Sequence, residues 1–171
     1  MPAPATIAGI KEKLDAERAR LLESFRDLPA EIIMRPGEDG WAIKDIVAHV
    51  AMAEEVNVKF AKLMVTKNSP AQLDELAADY PDFPAPFTLD KFNAYMTDRL
   101  RAKSWVAVVQ ALHATRADTL AWLAQLTPAD LERTGGHAVW GTQTVNGMFR
   151  ILVIHDKAHR GDIEKRVTRD R

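Results

Sequence analysis

Two histidines four residues apart, His155 and His159, are the residues whose spacing most directly suggests chemistry. They lie in an apolar stretch without proline, and this composition predicts a helix. Residues four apart on a helix share one face, one turn apart, so two imidazoles in this arrangement can bind one metal ion. The apolar side chains Met148 and Leu152 lie on the same predicted face. The pair is therefore expected to point into the protein and to form part of a metal site.

A third ligand is predicted from another helix, because His49 lies on the inward side of an apolar stripe. Three neutral imidazoles give a divalent ion three protein ligands and leave positions open for water and substrate, which is typical of a catalytic site. These ligands accept nickel, zinc, iron or copper alike. Asp162 shares the face of His155 two turns along. Its carboxylate is predicted either to support the metal site or to pair with Arg166.

Four further residues are candidates for contact with a substrate. Asn57 lies near the centre of the inward stripe of its helix, where it either orients a substrate or bonds to nearby backbone. Arg116 and His113 lie on the inward side of a third helix, and Arg116 could bind an anion; the alternative is a polar pair at the bundle edge. Trp41 either contacts substrate or anchors packing. His137, between glycines, is interpreted as a loop residue, with a mobile acid or base as the alternative.

Composition limits the class of protein. A chain of 171 residues is expected to form a single domain. With 47% hydrophobic and 27% charged residues and a net charge of −1, a protein built to bind nucleic acid or an anionic membrane is not expected. No cysteine is present, so thiol chemistry would need a thiol cosubstrate. The sequence shows neither a signal pattern nor a long apolar run, and the cytoplasm is the expected location.

Helical periodicity organises most of the chain. Four long helices are predicted, over about residues 6–28, from Ile43 to about Lys67, from Leu89 to about Leu126 with a bend near Ser104, and from a cap at Thr142 onwards. Residues 68–88 contain four prolines and predict a long, partly irregular connection, with one short helical candidate at residues 71–78. Thr127 and Pro128 predict a short helical turn, and residues 135–141 a loop. The expected fold class is all-α, a four-helix bundle without strands.

Two stretches of the sequence resemble the DinB/YfiT-like superfamily of four-helix metalloproteins. They are Trp41 to His49 and His155 to Ile163, and the likeness extends through Phe92-Asn93 and residues 126–141 to nearly the whole chain. The resemblance implies a bundle in which three histidines hold a divalent ion, commonly nickel or zinc. It also implies a metal-dependent hydrolase or a thiol-dependent transferase or isomerase, often dimeric. DNA binding is not implied.

The sequence departs from this family pattern at one helix start. Relatives usually carry serine or threonine after the tryptophan as a helix cap, followed three residues later by an acid. Here Ala42 holds the cap position, while Asp45 remains. Loss of the cap is expected to cost about 1 kcal/mol of helix stability without affecting the metal ligands.

The functional hypothesis is a metal-dependent enzyme that acts on a small molecule, as a hydrolase or a low-molecular-weight-thiol transferase, and forms a homodimer. The competing hypothesis is a metal-containing protein that binds or sequesters a small molecule without turnover. A zincin-like protease is excluded, because that class needs glutamate directly after the first histidine and Asp156 stands there.

Overall fold

A computed structural model describes residues 6–67 and 69–169, with the backbone alone at residue 169. Its helices are α1 (Ile7–Glu23), α2 (Ala30–Met34), α3 (Ile43–Thr66), α4 (Leu89–Arg101), α5 (Trp105–Leu123), α6 (Pro128–Leu131) and α7 (Val145–Arg169). Its strands are β1 (Ala71–Gln72), β2 (Thr134–His137) and β3 (Gly141–Thr144), and a 3-10 helix covers Leu73–Asp79. No helix in these ranges is both long and apolar enough to cross a membrane.

The predicted helical bundle is confirmed, with α1, α3, α5 and α7 as its four main helices. The helix α3 packs against α4, α5 and α7, and α1 packs against α7. The start of α3 at Ile43 is as predicted. The helix α1 ends at Glu23, five residues before the predicted end, because residues 24–27 form turns that lead into Pro29.

The predicted third long helix consists of two helices, α4 and α5. The helical conformation is interrupted where a bend was predicted. The side chain of Ser104 caps α5 by accepting a hydrogen bond from the Ala107 amide at 3.3 Å. Thr127 caps α6 as predicted. The 3-10 helix at Leu73–Asp79 lies where the sequence suggested a short helical candidate.

A small sheet replaces the predicted loop at residues 135–141. The strand β2 pairs with β1 in parallel and with β3 antiparallel. Gly135 lets β2 approach α3, since a Cβ atom there would lie 2.8 Å from Met64 Cγ. Gly141 supplies the positive φ of +66° that the hairpin turn requires. Strands of two to four residues are too short to produce a recognisable alternating pattern, which is why they were not predicted from the sequence.

The start of α7 corrects another prediction. Thr142, the predicted cap, lies within β3. Thr144 takes that role instead, because its Oγ1 accepts a hydrogen bond from the Gly147 amide at 2.9 Å. The helix therefore begins at Val145.

The buried apolar side chains form two clusters along the bundle. The helix α1 contributes Leu14 to one cluster and Leu21 to the other, with buried Arg18 between them. The helix α7 likewise contributes Leu152 and Ile163 to different clusters. The histidines of α7 lie in the stretch between these two residues, at the level where the apolar core is interrupted.

Candidate metal site

The three histidines singled out by spacing converge in the bundle. His49 is on α3, and His155 and His159 are one turn apart on α7. The Nε2 atom of His155 lies 3.2 Å from Nε2 of His49 and 3.2 Å from Nε2 of His159. One ring nitrogen from each residue falls within 4.8 Å of the others, so the three could hold a single metal ion.

The outer nitrogens of two of these rings contact polar side chains. Nδ1 of His49 lies 3.3 Å from Thr97 Oγ1, and Nδ1 of His159 lies 3.1 Å from Asp162 Oδ2. An imidazole that donates from Nδ1 presents the lone pair of Nε2 to the centre, which is the tautomer that a metal needs. The alternative pairing of Asp162 with Arg166 does not occur, since Arg166 contacts Asp39 at 2.6 Å.

The distances from His155 Nε2 to the other two Nε2 atoms fit a divalent cation. Tetrahedral coordination with bonds of about 2.0–2.1 Å places two ligand nitrogens about 3.3–3.4 Å apart. The 3.2 Å separations here are close to that value. Three imidazoles do not select among nickel, zinc, iron and copper, so the donor set fits a divalent ion without specifying which.

Burial keeps the three imidazoles neutral at neutral pH. Burial, followed by the neighbouring His159, lowers the pKa of His49 to about 4. Burial and its two histidine neighbours hold the pKa of His155 well below its usual value. Burial also lowers the pKa of His159, against the opposing effect of Asp162. Neutral imidazole is the form that binds metal, so protons compete weakly for these ligands.

A cavity of about 210 Å³ adjoins the site. The rings of His49 and His155 form part of its wall, and its other polar wall residues are Asn57, Asn93 and His137. Asn57 donates from Nδ2 to the Ala53 carbonyl at 2.7 Å, while its buried Oδ1 has no hydrogen-bond partner among the residues described. Asn57 therefore bonds to nearby backbone, which was one of its two predicted roles, and it also lies in the cavity wall.

Comparison with known proteins places this architecture in a family. A model of the DinB superfamily matches residues 4–163 of the chain. The chain belongs to the DinB superfamily. This confirms the resemblance that the motifs around His49 and His155 suggested.

One solved structure with a similar fold is that of YfiT from Bacillus subtilis. It is 17% identical to this chain, with a TM-score of 0.71, and the match covers 99% of this chain and 92% of YfiT. YfiT is described as a probable metal-dependent hydrolase with an unusual four-helix bundle topology. At this level of identity the likeness shows the fold. A search of curated protein sequences gave no match.

His137 is a wall residue that sequence reasoning assigned to a loop. In this DinB-superfamily protein it lies on β2, only 7% exposed. Its Nδ1 accepts hydrogen bonds from the Val139 amide at 3.2 Å and the Trp140 amide at 3.3 Å. A hairpin turn is indicated by the two glycines before His137 and the glycine four residues after it. No local feature of the sequence, however, indicates that the His137 ring lies near the histidines of α3 and α7.

The position of Arg116 does not support its predicted contact with substrate. Its Nε lies 2.8 Å from Glu54 Oε1, and its Nη2 lies 3.0 Å from Asp156 Oδ2. Arg18 contacts the same two carboxylates, at 2.5 Å from Glu54 and 2.9 Å from Asp156. These four residues form a buried charge cluster, with one member from each bundle helix. Both guanidiniums are engaged inside the protein, so neither is available to an anionic substrate.

His113 and Trp41 also differ from their predicted roles. His113 is exposed rather than inward, and it borders a separate cavity with Phe25 and Trp105. Trp41 contacts His49 edge-on, with ring centroids 5.6 Å apart, and is not among the described residues of the cavity wall. It therefore packs against a candidate ligand rather than facing the cavity.

Proposed function

We propose that this DinB-superfamily protein is a metal-dependent hydrolase of small molecules. His49, His155 and His159 would hold a divalent ion, zinc or nickel. The observation that carries the proposal is the convergence of three Nε2 atoms beside a cavity of about 210 Å³. YfiT, which shares the fold, is described as a probable metal-dependent hydrolase, and this supports the same reaction class.

A bound divalent ion would supply Lewis-acid chemistry, by polarising a substrate carbonyl or by activating water. The protein's own residues position the ligands and the substrate. Asp162 and Thr97 fix the orientation of two imidazoles through their outer nitrogens. Asn57, whose buried Oδ1 has no partner among the described residues, lies in the cavity wall and would help to orient a substrate.

The nearest buried carboxylates do not serve as general bases in this proposal. Glu54 and Asp156 are both bound to two arginines. Burial raises the pKa of Glu54, but Arg18 and Arg116 outweigh it and hold the pKa below its usual value. A carboxylate stabilised in this way is a poor proton acceptor.

Alanine substitutions test the ligand set. His49→Ala, His155→Ala and His159→Ala are each expected to lower the bound zinc or nickel of the purified protein from one equivalent towards zero, since two imidazoles hold a divalent ion weakly. Elemental analysis after dialysis measures this. His113→Ala is the matched control, because His113 is exposed and borders a different cavity. Stoichiometric metal in all three site variants would show that the ligand set is wrong.

Activity assays then test the reaction class. We expect the metal-loaded protein to hydrolyse simple esters or amides and to lose this activity with a chelator. Thiol transfer is assayed in parallel with a low-molecular-weight thiol. Full metal occupancy without turnover in any assay would favour sequestration and contradict the proposed hydrolase.

A further inference from the structure

The wall of the cavity beside the histidines is mainly apolar and carries no formal charge. Its polar members are imidazole rings and amides, at His49, His155, His137, Asn57 and Asn93. Among the wall residues that the structure describes, none is a lysine, arginine, aspartate or glutamate. The apolar part of the wall includes Ala53, Val56, Leu73, Leu89, Ile151 and Ile154.

Two acidic residues that are adjacent in sequence to wall residues form ion pairs with arginines outside the cavity wall. Asp156 follows His155 directly, yet its side chain is buried and bonds to Arg18 and Arg116. Glu54 is bound by the same two arginines. A positively charged group brought into the cavity would therefore lose its water without gaining a counter-charge, and a divalent ion held by the histidines would repel it, so such burial is strongly unfavourable.

His137 adds a hydrogen-bond donor to this uncharged wall. Because its Nδ1 accepts from two backbone amides, the neutral ring carries its proton on Nε2. Asn57 and Asn93 contribute neutral amide groups. A wall with neutral polar groups of this kind suits a neutral polar group, such as an ester or amide, attached to an apolar chain.

The cavity is small and reaches the surface along apolar side chains. A volume of about 210 Å³ equals roughly seven water molecules at about 30 Å³ each. Two wall residues, Trp140 and Ile154, are 49% and 53% exposed and mark its opening. The enclosed part therefore accommodates the reacting end of a substrate. The rest of a longer substrate would extend through the opening, past apolar side chains.

We propose that this cavity selects an uncharged, mainly apolar substrate segment next to the metal site, with His137 as a hydrogen-bond donor to it. The inference rests on the proposed metal-dependent function and specifies its substrate class. Substrates with an ammonium group close to the reacting carbonyl are excluded from the cavity, whereas short acyl esters and amides are accepted.

Hydroxamic acids with different chain ends test the substrate class. The probes are hexanohydroxamic acid, adipic monohydroxamic acid and 6-aminohexanohydroxamic acid, because the hydroxamate anchors each of them to the ion. Calorimetry on the zinc-loaded protein is expected to give a Kd about tenfold lower for hexanohydroxamic acid than for the ammonium-ended probe. An equal or tighter Kd for the ammonium-ended probe would overturn the inference.

A charge introduced at the cavity opening provides a reciprocal test. Ile154→Lys is expected to tighten binding of adipic monohydroxamic acid and to weaken binding of the aminohexano probe. Val106→Lys is the matched control, since Val106 is 62% exposed but lies outside the cavity wall. An identical response of the two variants would contradict the assignment of Ile154 to the opening.

The role of His137 is tested by His137→Phe, which keeps a ring and removes the donor. We expect this variant to retain one zinc per chain and to bind hexanohydroxamic acid several-fold more weakly. An unchanged Kd would remove His137 from the proposal.

The two proposals fail in distinguishable ways. A wild-type protein that binds neither zinc nor nickel defeats the proposed function, and the inference falls with it. Zinc binding at one equivalent with no preference for the neutral chain defeats the substrate class alone.

Discussion

Asp162 holds the outer nitrogen of one candidate ligand while remaining close to half exposed. Its Oδ2 lies 3.1 Å from His159 Nδ1, and its side chain is 46% exposed. A carboxylate in this position fixes the ring orientation and raises the basicity of the opposite nitrogen. Because Asp162 points its oxygen at a ligand rather than into the cavity, we assign it a positioning role.

Removal of this carboxylate is expected to weaken metal binding. Asp162→Ala should raise the dissociation constant for zinc by about 10- to 100-fold, since the imidazole of His159 loses the group that orients it. Competition with a chromophoric chelator measures this constant. The change should leave the free energy of unfolding of the metal-free protein nearly unaltered, because the contact lies at the surface.

The matched control is Glu164→Gln, also on α7. Glu164 is 52% exposed and pairs with Arg160 rather than with a histidine. Its substitution should leave zinc affinity unchanged. Equal zinc affinity in Asp162→Ala and the wild type would rule out the positioning role.

The start of α3 shows how an element tolerates the loss of a cap. Ala42 has no side-chain acceptor for the first amides of the helix. Asp45 Oδ2 accepts from the Ala42 amide at 3.0 Å and lies 3.3 Å from Arg101 Nη2. Half of the capping arrangement is therefore present, and it connects α3 to α4.

Restoration of the missing half is expected to stabilise the protein. Ala42→Ser should raise the free energy of unfolding by about 1 kcal/mol, because the serine hydroxyl can accept from the amide of Asp45. Urea unfolding followed by circular dichroism measures the change. Ala102→Ser is the control, since Ala102 is the C-cap of α4, where a hydroxyl has no such amide to bind. A gain no larger than that of the control would mean that Asp45 already satisfies the helix start.

The buried charge cluster connects the whole bundle. It takes Arg18 from α1, Glu54 from α3, Arg116 from α5 and Asp156 from α7, and its two positive and two negative charges cancel. The Leu14 and Leu112 carbonyls accept further hydrogen bonds from the two guanidiniums. The balanced charges and the hydrogen bonds at every guanidinium nitrogen make the burial of these four charges tolerable.

Removal of one negative charge from this cluster is expected to destabilise the fold. Glu54→Gln leaves two buried arginines facing one carboxylate, so the free energy of unfolding should fall by about 3–5 kcal/mol at neutral pH. The pKa of Glu54 lies below its usual value of 4.5. The stability contributed by the ionised carboxylate is thus present above about pH 4.5 and is lost as the pH falls through the lower, folded-state pKa. Urea unfolding between pH 3 and 7 should show the difference between variant and wild type shrinking in acid.

Glu55→Gln is the control for this experiment. Glu55 is adjacent in sequence but 36% exposed, and it pairs with Lys59 at 2.8 Å. Its loss should cost less than about 1 kcal/mol. Similar losses for Glu54→Gln and Glu55→Gln would show that the cluster contributes little to stability.

The sequence by itself determined the helical character of the bundle, though not every helix boundary, and the inward direction of the candidate ligands. Periodicity close to 3.6 residues is a local property, so the start of α3 and the shared face of His155 and His159 could be predicted. The convergence of these rings with His49 was also expected, because four amphipathic helices bury their apolar faces against one another.

Only the tertiary structure decided which polar groups meet. Arg116 was predicted to face a substrate, but it pairs with carboxylates 40 and 62 positions away in the chain. His137 was assigned to a loop, but a hairpin of four-residue strands brings its ring to the cavity. The physical reason is the same in both cases. Helix periodicity gives the direction of a side chain, whereas its partner depends on how the elements pack against one another.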